Sequence, residues 1–146
     1  MSIAWLIEYA KWRETAPRGV KVRDRFLCPC CFMPTLTRRG SYEICAICFW
    51  EDDGQDNEDA DVYLGGPNHG LTLTEARHNF DRFRTMYPPE HALYAEQKVT
   101  ETLRLSLYTV MSEALTKNSK QSWQDMLAVE KQFNRKMATY RRKGTL

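Results

Sequence analysis

All five cysteines of the chain lie between positions 28 and 48, and four of them form two C-x-x-C pairs, Cys28/Cys31 and Cys45/Cys48. Two residues between cysteines let one tight backbone turn present both sulfurs to the same ion, and thiolate is a favoured donor of tetrahedral zinc. The thirteen residues between the pairs suffice for a hairpin that brings the second turn back to the first. We therefore expect these four cysteines to bind one structural Zn²⁺, with iron as the competing metal.

The remaining thiol and the C-P-x-C spacing raise the alternative of a redox site, as in glutaredoxin-like proteins. There the first cysteine begins a helix, which lowers its pKa. Here Pro34 and Gly40 follow too closely for a helix, and no βαβ pattern surrounds the motif. The metal site is therefore favoured. Cys30 is interpreted as a small side chain that fits the turn, with a reactive thiol or an alternate ligand as the other interpretation.

Four thiolates around a divalent ion carry a formal charge of 2−, so hydrogen-bond donors are expected around the sulfurs. Backbone N–H groups of the two turns are the first candidates. Arg25, Arg38 or Arg39 is a further candidate for a cation close to the site.

Residues 51–61 carry seven acids and no base directly after the second cysteine pair. The segment is not an EF-hand, because Phe49 would occupy the first ligand position, where aspartate is required. It is either a solvated loop or a contact surface for a basic protein partner, since charged patches steer association. The predicted partner-binding residues are Glu51, Asp52, Asp53, Asp56, Glu58, Asp59 and Asp61.

A basic segment near the C-terminus supports the alternative of nucleic-acid binding. It contains no acid, and its cations are Lys131, Arg135, Lys136, Arg141, Arg142 and Lys143. Zinc ribbons often bind nucleic acid. However, the net charge is only +2, and the acidic segment beside the second cysteine pair would repel a phosphate backbone. A protein partner is therefore favoured over a nucleic-acid-binding or regulatory zinc ribbon.

The pattern of elements predicts an α+β fold in a single domain, 1–146. A zinc-ribbon-like β unit is expected over 25–60, with "VKVRDRF" leading into the first cysteine pair and "PTLT" and "SYEI" forming a hairpin about Arg38-Arg39-Gly40. A short amphipathic helix is predicted over 3–14, so that the N-terminal segment is mainly helical.

Helices are predicted behind the ribbon. A capping box of Thr72 and Glu75 starts one over 72–87, whose core face holds Leu73, Phe80 and Phe83. The C-terminal helices fill 91–142, with a break at "KNSK" near 117–120. Their core stripes are Leu103, Leu107, Val110, Met111, Ala114 and Leu115, then Trp123, Met126, Leu127, Phe133, Met137 and Tyr140.

Three segments in order, "CPCC", "GSYEICAICFWEDDG" and "GGPNHGLTLTEARHNF", resemble the bacterial cysteine-rich family named after its CPCC motif. The resemblance covers residues 27–84. Within it, the matching positions are Trp50, Glu51, Asp52, Asp53, Asn68, Gly70, Leu73, Glu75, Ala76, Arg77, Asn79 and Phe80. The resemblance implies a metal-binding module without established enzymatic activity. Some members are similar to immunity proteins encoded beside secreted bacterial toxins.

The other features of the sequence predict a cytoplasmic binding protein and not an enzyme. No apolar run reaches the roughly 18 residues of a membrane span, and the N-terminus lacks a secretory signal. Four cysteines close a zinc site that catalysis would need open. His69, His78 and His91 form no metal or catalytic pattern. The function expected is therefore neutralisation of a cognate bacterial toxin by protein binding.

Overall fold

A computed structural model describes residues 21–142. Its small antiparallel sheet and its helices confirm the α+β class. The chain divides into two compact units between Met86 and Tyr87, and each is described by itself. The helix predicted over 3–14 lies outside the described residues, and the single domain over 1–146 stays a prediction.

The sheet of the first unit has three short strands in the order β1-β2-β3: Lys21–Val22, Arg25–Leu27 and Pro34–Leu36. The segment "VKVRDRF", expected as one strand, is itself a hairpin. Its turn is made by Arg23 and Asp24, both in the left-handed region at φ 47° and 66°. The sheet ends at the first cysteine pair, which joins β2 to β3.

The predicted hairpin between "PTLT" and "SYEI" is wrong. β3 pairs with β2, and Ile44 instead forms an isolated antiparallel bridge with Glu51. The backbone N–H of Asp52 donates to the carbonyl of Glu43 at 3.0 Å, which closes this second hairpin around the second cysteine pair. The Glu43 carboxylate accepts from both the N–H and the hydroxyl of Thr37 at 2.9 Å. A side chain therefore makes the connection that a strand pair was expected to make.

Helix α1 spans Leu73–Phe83, and its start confirms the predicted capping box. Thr72 Oγ1 accepts from the N–H of Glu75, and the Glu75 carboxylate accepts from the N–H of Thr72, both at 3.1 Å. The helix stops four residues before the predicted end at position 87, because Arg84 takes a left-handed conformation at φ 59°. Leu73 and Phe80 are buried as predicted, whereas Phe83 is only half-buried.

The backbone after α1 turns towards the second cysteine pair. The N–H of Met86 donates to the carbonyl of Cys48 at 2.9 Å. Asn79 Nδ2 donates to the carbonyl of Met86, also at 2.9 Å. These bonds explain why a continued helix is not compatible with this fold.

The second unit contains α2 (Ala92–Lys98), α3 (Glu101–Lys117) and α4 (Lys120–Arg142). Helices α3 and α4 pack against each other. The predicted continuous helix from position 91 to 117 is interrupted at 99–100. There the carbonyl of Gln97 accepts from the N–H and hydroxyl of Thr100 and from Arg104 Nη2, all at 3.2 Å.

The buried faces of α3 and α4 follow most of the predicted stripes. The buried apolar residues are Leu107, Tyr108, Met111, Ala114, Trp123, Met126, Phe133 and Met137. Leu127 was predicted to be in the core, but its side chain is 50% exposed. Leu103, Val110, Leu115 and Tyr140 are half-buried. The buried Arg104 was not expected, since an arginine breaks an apolar pattern.

Candidate metal centre

The first cysteine pair forms a tight turn between β2 and β3. The N–H of Cys28 donates to the carbonyl of Met33 at 2.9 Å, and the N–H of Phe32 donates back to the carbonyl of Cys28 at 2.8 Å. Phe32 lies in the left-handed region at φ 63°. This turn directs Cys28 and Cys31 to the same side of the backbone.

The second pair repeats the same backbone pattern one hairpin later. The N–H of Cys45 donates to the carbonyl of Trp50 at 2.9 Å, and the N–H of Phe49 donates to the carbonyl of Cys45 at 3.0 Å. Phe49 is also left-handed, at φ 72°. The sequences "CPCCFM" and "CAICFW" therefore encode two equivalent knuckles, as the doubled spacing predicts.

The two knuckles bring four sulfurs together. The Sγ atoms of Cys28 and Cys48 are 3.7 Å apart, those of Cys31 and Cys45 are 3.6 Å apart, and all four lie within 4.8 Å of one another. Zn–S bonds of about 2.3 Å place tetrahedral thiolates about 3.8 Å apart. The geometry therefore fits one tetrahedral metal ion bound by Cys28, Cys31, Cys45 and Cys48. No disulfide joins them.

The four thiols are fully buried, and this controls their protonation in the metal-free chain. Burial raises the pKa of Cys28, Cys31 and Cys48 well above that of an ordinary thiol. For Cys45, burial acts in the same direction, but hydrogen bonds from the three other thiols lower its pKa well below the ordinary value. Cys45 is therefore the sulfur that most readily carries negative charge, and a bound cation must displace protons from the others.

Three of the four sulfurs accept a hydrogen bond from a donor within 3.4 Å. The N–H of Cys30 donates to Cys28 Sγ and the N–H of Trp50 to Cys48 Sγ, each at 3.4 Å. The hydroxyl of Thr35 on β3 donates to Cys45 Sγ at 3.1 Å. The expected backbone donors are confirmed, and the threonine was not foreseen. Such bonds stabilise thiolates and orient metal ligands.

Cys30 lies in the first knuckle but outside the four-sulfur cluster. Its side chain is buried, and burial raises the pKa of its thiol. A buried thiol with a raised pKa is inert towards electrophiles. This agrees with the interpretation of Cys30 as a small residue that fits the turn.

Arg39 does not serve the sulfurs but pairs with the acidic segment. Its Nε donates to Asp52 at 3.0 Å, its Nη1 to Asp56 at 2.8 Å, and its Nη2 to the carbonyl of Gln55 at 3.0 Å. Asp52 and Asp56 are 0% and 2% exposed. Although burial acts to lower it, the pKa of Arg39 is raised by its bonds to Asp56 and Asp52. Two of the seven predicted partner-binding acids therefore stabilise the interior.

The other five acids lie nearer the surface, with different roles. Asp59 accepts from the N–H of Asp56 at 2.8 Å and completes the capping box of a 3₁₀ turn over Asn57–Asp59. Asp61 is exposed and accepts from the hydroxyl of Thr74. Glu58 is exposed, and Glu51 and Asp53 are half-buried. Burial raises the pKa of Asp53. Glu58 and Asp61 are thus the acids that the structure places outermost.

Arg77 of α1 connects the first knuckle to the acidic segment. Its Nε donates to the carbonyl of Pro29 and its Nη2 to Asn57 Oδ1, both at 2.8 Å. Its guanidinium also lies over the ring of Phe32, 5.2 Å from the centroid. The sequence predicted a basic residue beside the knuckles but pointed to Arg25, Arg38 and Arg39. An arginine on a distant helix gives no local signal.

The sheet, the paired knuckles and the sulfur cluster define a zinc-ribbon-like metal-binding module. The chain belongs to the cysteine-rich CPCC family, whose model matches residues 26–100, just over half of the 146 residues. The match extends past the resemblance noted over 27–84, into α2. No curated protein matches the chain, and no solved structure does. Within 21–142, no helix combines the length and apolar character needed to cross a membrane.

Proposed function

We propose that this protein is a non-enzymatic, zinc-stabilised binding protein that acts in the cytoplasm as an immunity protein against a cognate bacterial toxin. Two observations support the proposal, the all-cysteine cluster and a loop that presents apolar side chains, and it is motivated by the similarity of some family members to immunity proteins that the sequence resemblance implies. The loop is the observation that carries it.

The donor set supports zinc in a structural role. Four cysteine sulfurs in tetrahedral geometry select zinc or iron, and zinc sites of this type have no coordination position left for water or substrate. A closed site stabilises the fold and does not perform hydrolysis. Metal analysis of protein purified without chelator separates the two metals, because an iron–thiolate centre is coloured and redox-active and a zinc centre is neither.

The loop after the acidic segment exposes three consecutive apolar residues. Val62, Tyr63 and Leu64 are 48%, 58% and 54% exposed. The loop is held from below by the buried Gln55, whose Nε2 donates to the carbonyl of Val62 at 2.7 Å and to that of Asp59 at 2.9 Å. An exposed apolar run on a fixed backbone is typical of a protein-binding surface.

Charge near this loop indicates what the partner surface carries. Glu58 and Asp61 are both exposed, and Asp61 directly precedes Val62. Acidic residues therefore border the apolar run on its N-terminal side. Interfaces combine an apolar centre with a charged rim. The partner proposed is therefore a protein with an apolar depression bordered by lysines or arginines, such as the phosphate-binding cleft of a nucleic-acid- or nucleotide-directed toxin.

The test uses a candidate toxin domain encoded beside this protein in its own genome. We expect the metal-loaded chain to bind that domain and to abolish its toxicity in cells. Changing Tyr63→Ala and Leu64→Ala together should weaken binding by a factor of about 30 or more, the effect of losing an interface hot spot. Glu58→Gln with Asp61→Asn should mainly slow association and reduce its salt dependence.

The matched control is Leu127→Ala, an apolar side chain on α4 that is equally exposed. It should leave toxin binding unchanged. If the chain protects cells but the Tyr63 and Leu64 changes have no effect, the assigned surface is wrong. If it neither binds the domain nor protects cells, the immunity function is wrong.

A further inference from the structure

Three cations project from one side of α4, opposite its buried face. At 100° per residue, Lys131, Arg135 and Arg142 lie within about 40° of one another around the helix axis. All three are exposed, whereas Phe133 and Met137 are buried. We call Lys131, Arg135 and Arg142 the outer stripe of α4. It runs for about 16 Å at 1.5 Å per residue.

The stripe is not explained by pairing within the chain. Across residues 21–142, no ion pair joins any of its three cations to a carboxylate. Lys131 and Arg135 are instead four residues apart on one face, an arrangement of like charges that destabilises a helix. The helix dipole favours Arg142 in the last turn, but its effect does not extend to Lys131. The stripe therefore has a cost to folding that an external anion would relieve.

The neighbouring side chains indicate which anion fits. The last acid of the chain is Glu130, and the other exposed residues between Lys131 and Arg142 are uncharged or basic, namely Gln132, Asn134, Lys136 and Arg141. Protein interfaces depend on large apolar or aromatic anchors, and the one large exposed apolar residue of α4 is Leu127, before the stripe. A surface that offers spaced cations without anchors fits a polyanion better than a protein.

We propose that the outer stripe of α4 is a docking surface for the phosphate backbone of duplex nucleic acid. A duplex carries one negative charge per about 1.7 Å of its axis, so a stripe of this length faces several phosphates. Point charges on a helix, without groups that read base edges, give binding independent of sequence. This activity goes beyond the proposed toxin binding, which uses the loop at 62–64 in the other unit.

The experiment measures binding of the full-length, metal-loaded chain to a short fluorescent DNA duplex of arbitrary sequence between about 50 and 200 mM salt. The wild-type protein should bind weakly and lose affinity as salt rises. Changing Lys131→Gln, Arg135→Gln and Arg142→Gln together should reduce the slope of log affinity against log salt by about 2.7, since each lost phosphate contact contributes about 0.9.

The control changes three exposed cations outside α4, Lys21→Gln, Arg38→Gln and Lys117→Gln, and so removes the same net charge. It should keep most of the wild-type slope. Equal losses in both triple variants would show that net charge, not the stripe, attracts DNA, and would overturn the proposal. So would no binding at the lowest salt, or a loss in Leu127→Ala as large as in the stripe variant. None of these outcomes changes the toxin assay, because the two proposals rest on different residues.

Discussion

The side-chain amide of Asn68 bonds both backbone groups of Glu51. Asn68 Oδ1 accepts from the N–H of Glu51, and Asn68 Nδ2 donates to its carbonyl, each at 2.9 Å. The opposite side of Glu51 faces Ile44 in the bridge around the second knuckle. The amide thus acts as a one-residue strand and attaches the "GGPNHG" loop to the metal hairpin.

We expect Asn68→Ala to destabilise the metal-loaded first unit by about 1–3 kcal/mol, because two partly buried backbone groups of Glu51 lose their partner. Asn68→Asp should cost more, since a carboxylate oxygen would then face the Glu51 carbonyl. Hydrogen exchange at the Glu51 amide measures the effect directly. Asn134→Ala, at an exposed position of α4, should leave that amide unchanged. Unaltered protection in both Asn68 variants would contradict the assigned pairing.

Replacing any one of Cys28, Cys31, Cys45 or Cys48 by serine should abolish stoichiometric metal binding and loosen residues 25–60. Structural zinc contributes on the order of 10–16 kcal/mol of binding free energy, much of it available to folding. Elemental analysis and proteolysis of the first unit measure both effects. Cys30→Ala should retain one metal per chain, because Cys30 lies outside the sulfur cluster. Metal loss in Cys30→Ala equal to that in the serine variants would assign it as a ligand.

Thr35→Val should keep the fold and the metal but weaken metal affinity by about 10–100-fold, the usual effect of losing a hydrogen bond to a ligand. Valine has nearly the same shape and removes only the hydroxyl that donates to Cys45 Sγ. Competition with a chromophoric chelator gives the affinity. Thr35→Ser keeps the hydroxyl and should stay close to wild type. Equal affinities for valine and serine would show that the bond has no effect.

Arg39→Gln should destabilise the first unit by about 3–5 kcal/mol, because it leaves the buried carboxylate of Asp52 without its cation and leaves Asp56 with only the guanidinium of Arg77, 3.9 Å away. Arg39→Lys should recover only part of this loss, since an ammonium cannot reproduce the guanidinium fork. Urea unfolding of the metal-loaded protein measures the differences. The neighbouring Arg38 is exposed, and Arg38→Gln should change stability by less than about 0.5 kcal/mol.

The stability of the metal-free and metal-loaded chains should depend on pH in opposite directions. Without metal, the raised pKa values of Cys28, Cys31 and Cys48 mean that the folded chain holds protons more tightly than the unfolded one. Stability then falls as pH rises above the ordinary thiol pKa of about 8.5. Of the four cysteines in the cluster, only Cys45 acts in the opposite direction, because its pKa is lowered. With metal, protons compete for the thiolates, so metal and stability are lost as pH falls. Thermal unfolding across pH, with and without chelator, tests both signs.

The metal centre could be predicted from the sequence because its signal is local. Spacing alone identified both knuckles, and the capping box at Thr72 and Glu75 fixed the start of α1. The end of α1 could not be predicted, because it depends on the bond between Met86 and Cys48, which are far apart in sequence.

The acidic segment shows where composition misleads. Seven acids in eleven residues indicate a solvated or partner-binding surface, yet Asp52 and Asp56 turn inward to a cation located 13 and 17 residues earlier. The number of acidic residues in a segment does not show which of their carboxylates pair with a cation in the folded chain. Thr35 was missed for a similar reason, since a single hydroxyl on a strand carries no motif.

One ion bound by both knuckles would make the folded fraction of this chain depend on metal supply. A ligand that binds only the folded state stabilises it in proportion to the logarithm of its free concentration, so each tenfold change in the free metal would shift stability by about 1.4 kcal/mol. In a cell short of that metal, newly made chains would stay unfolded, while chains already loaded would persist. The amount of folded protein would therefore record the metal status of the cell at the time of its synthesis.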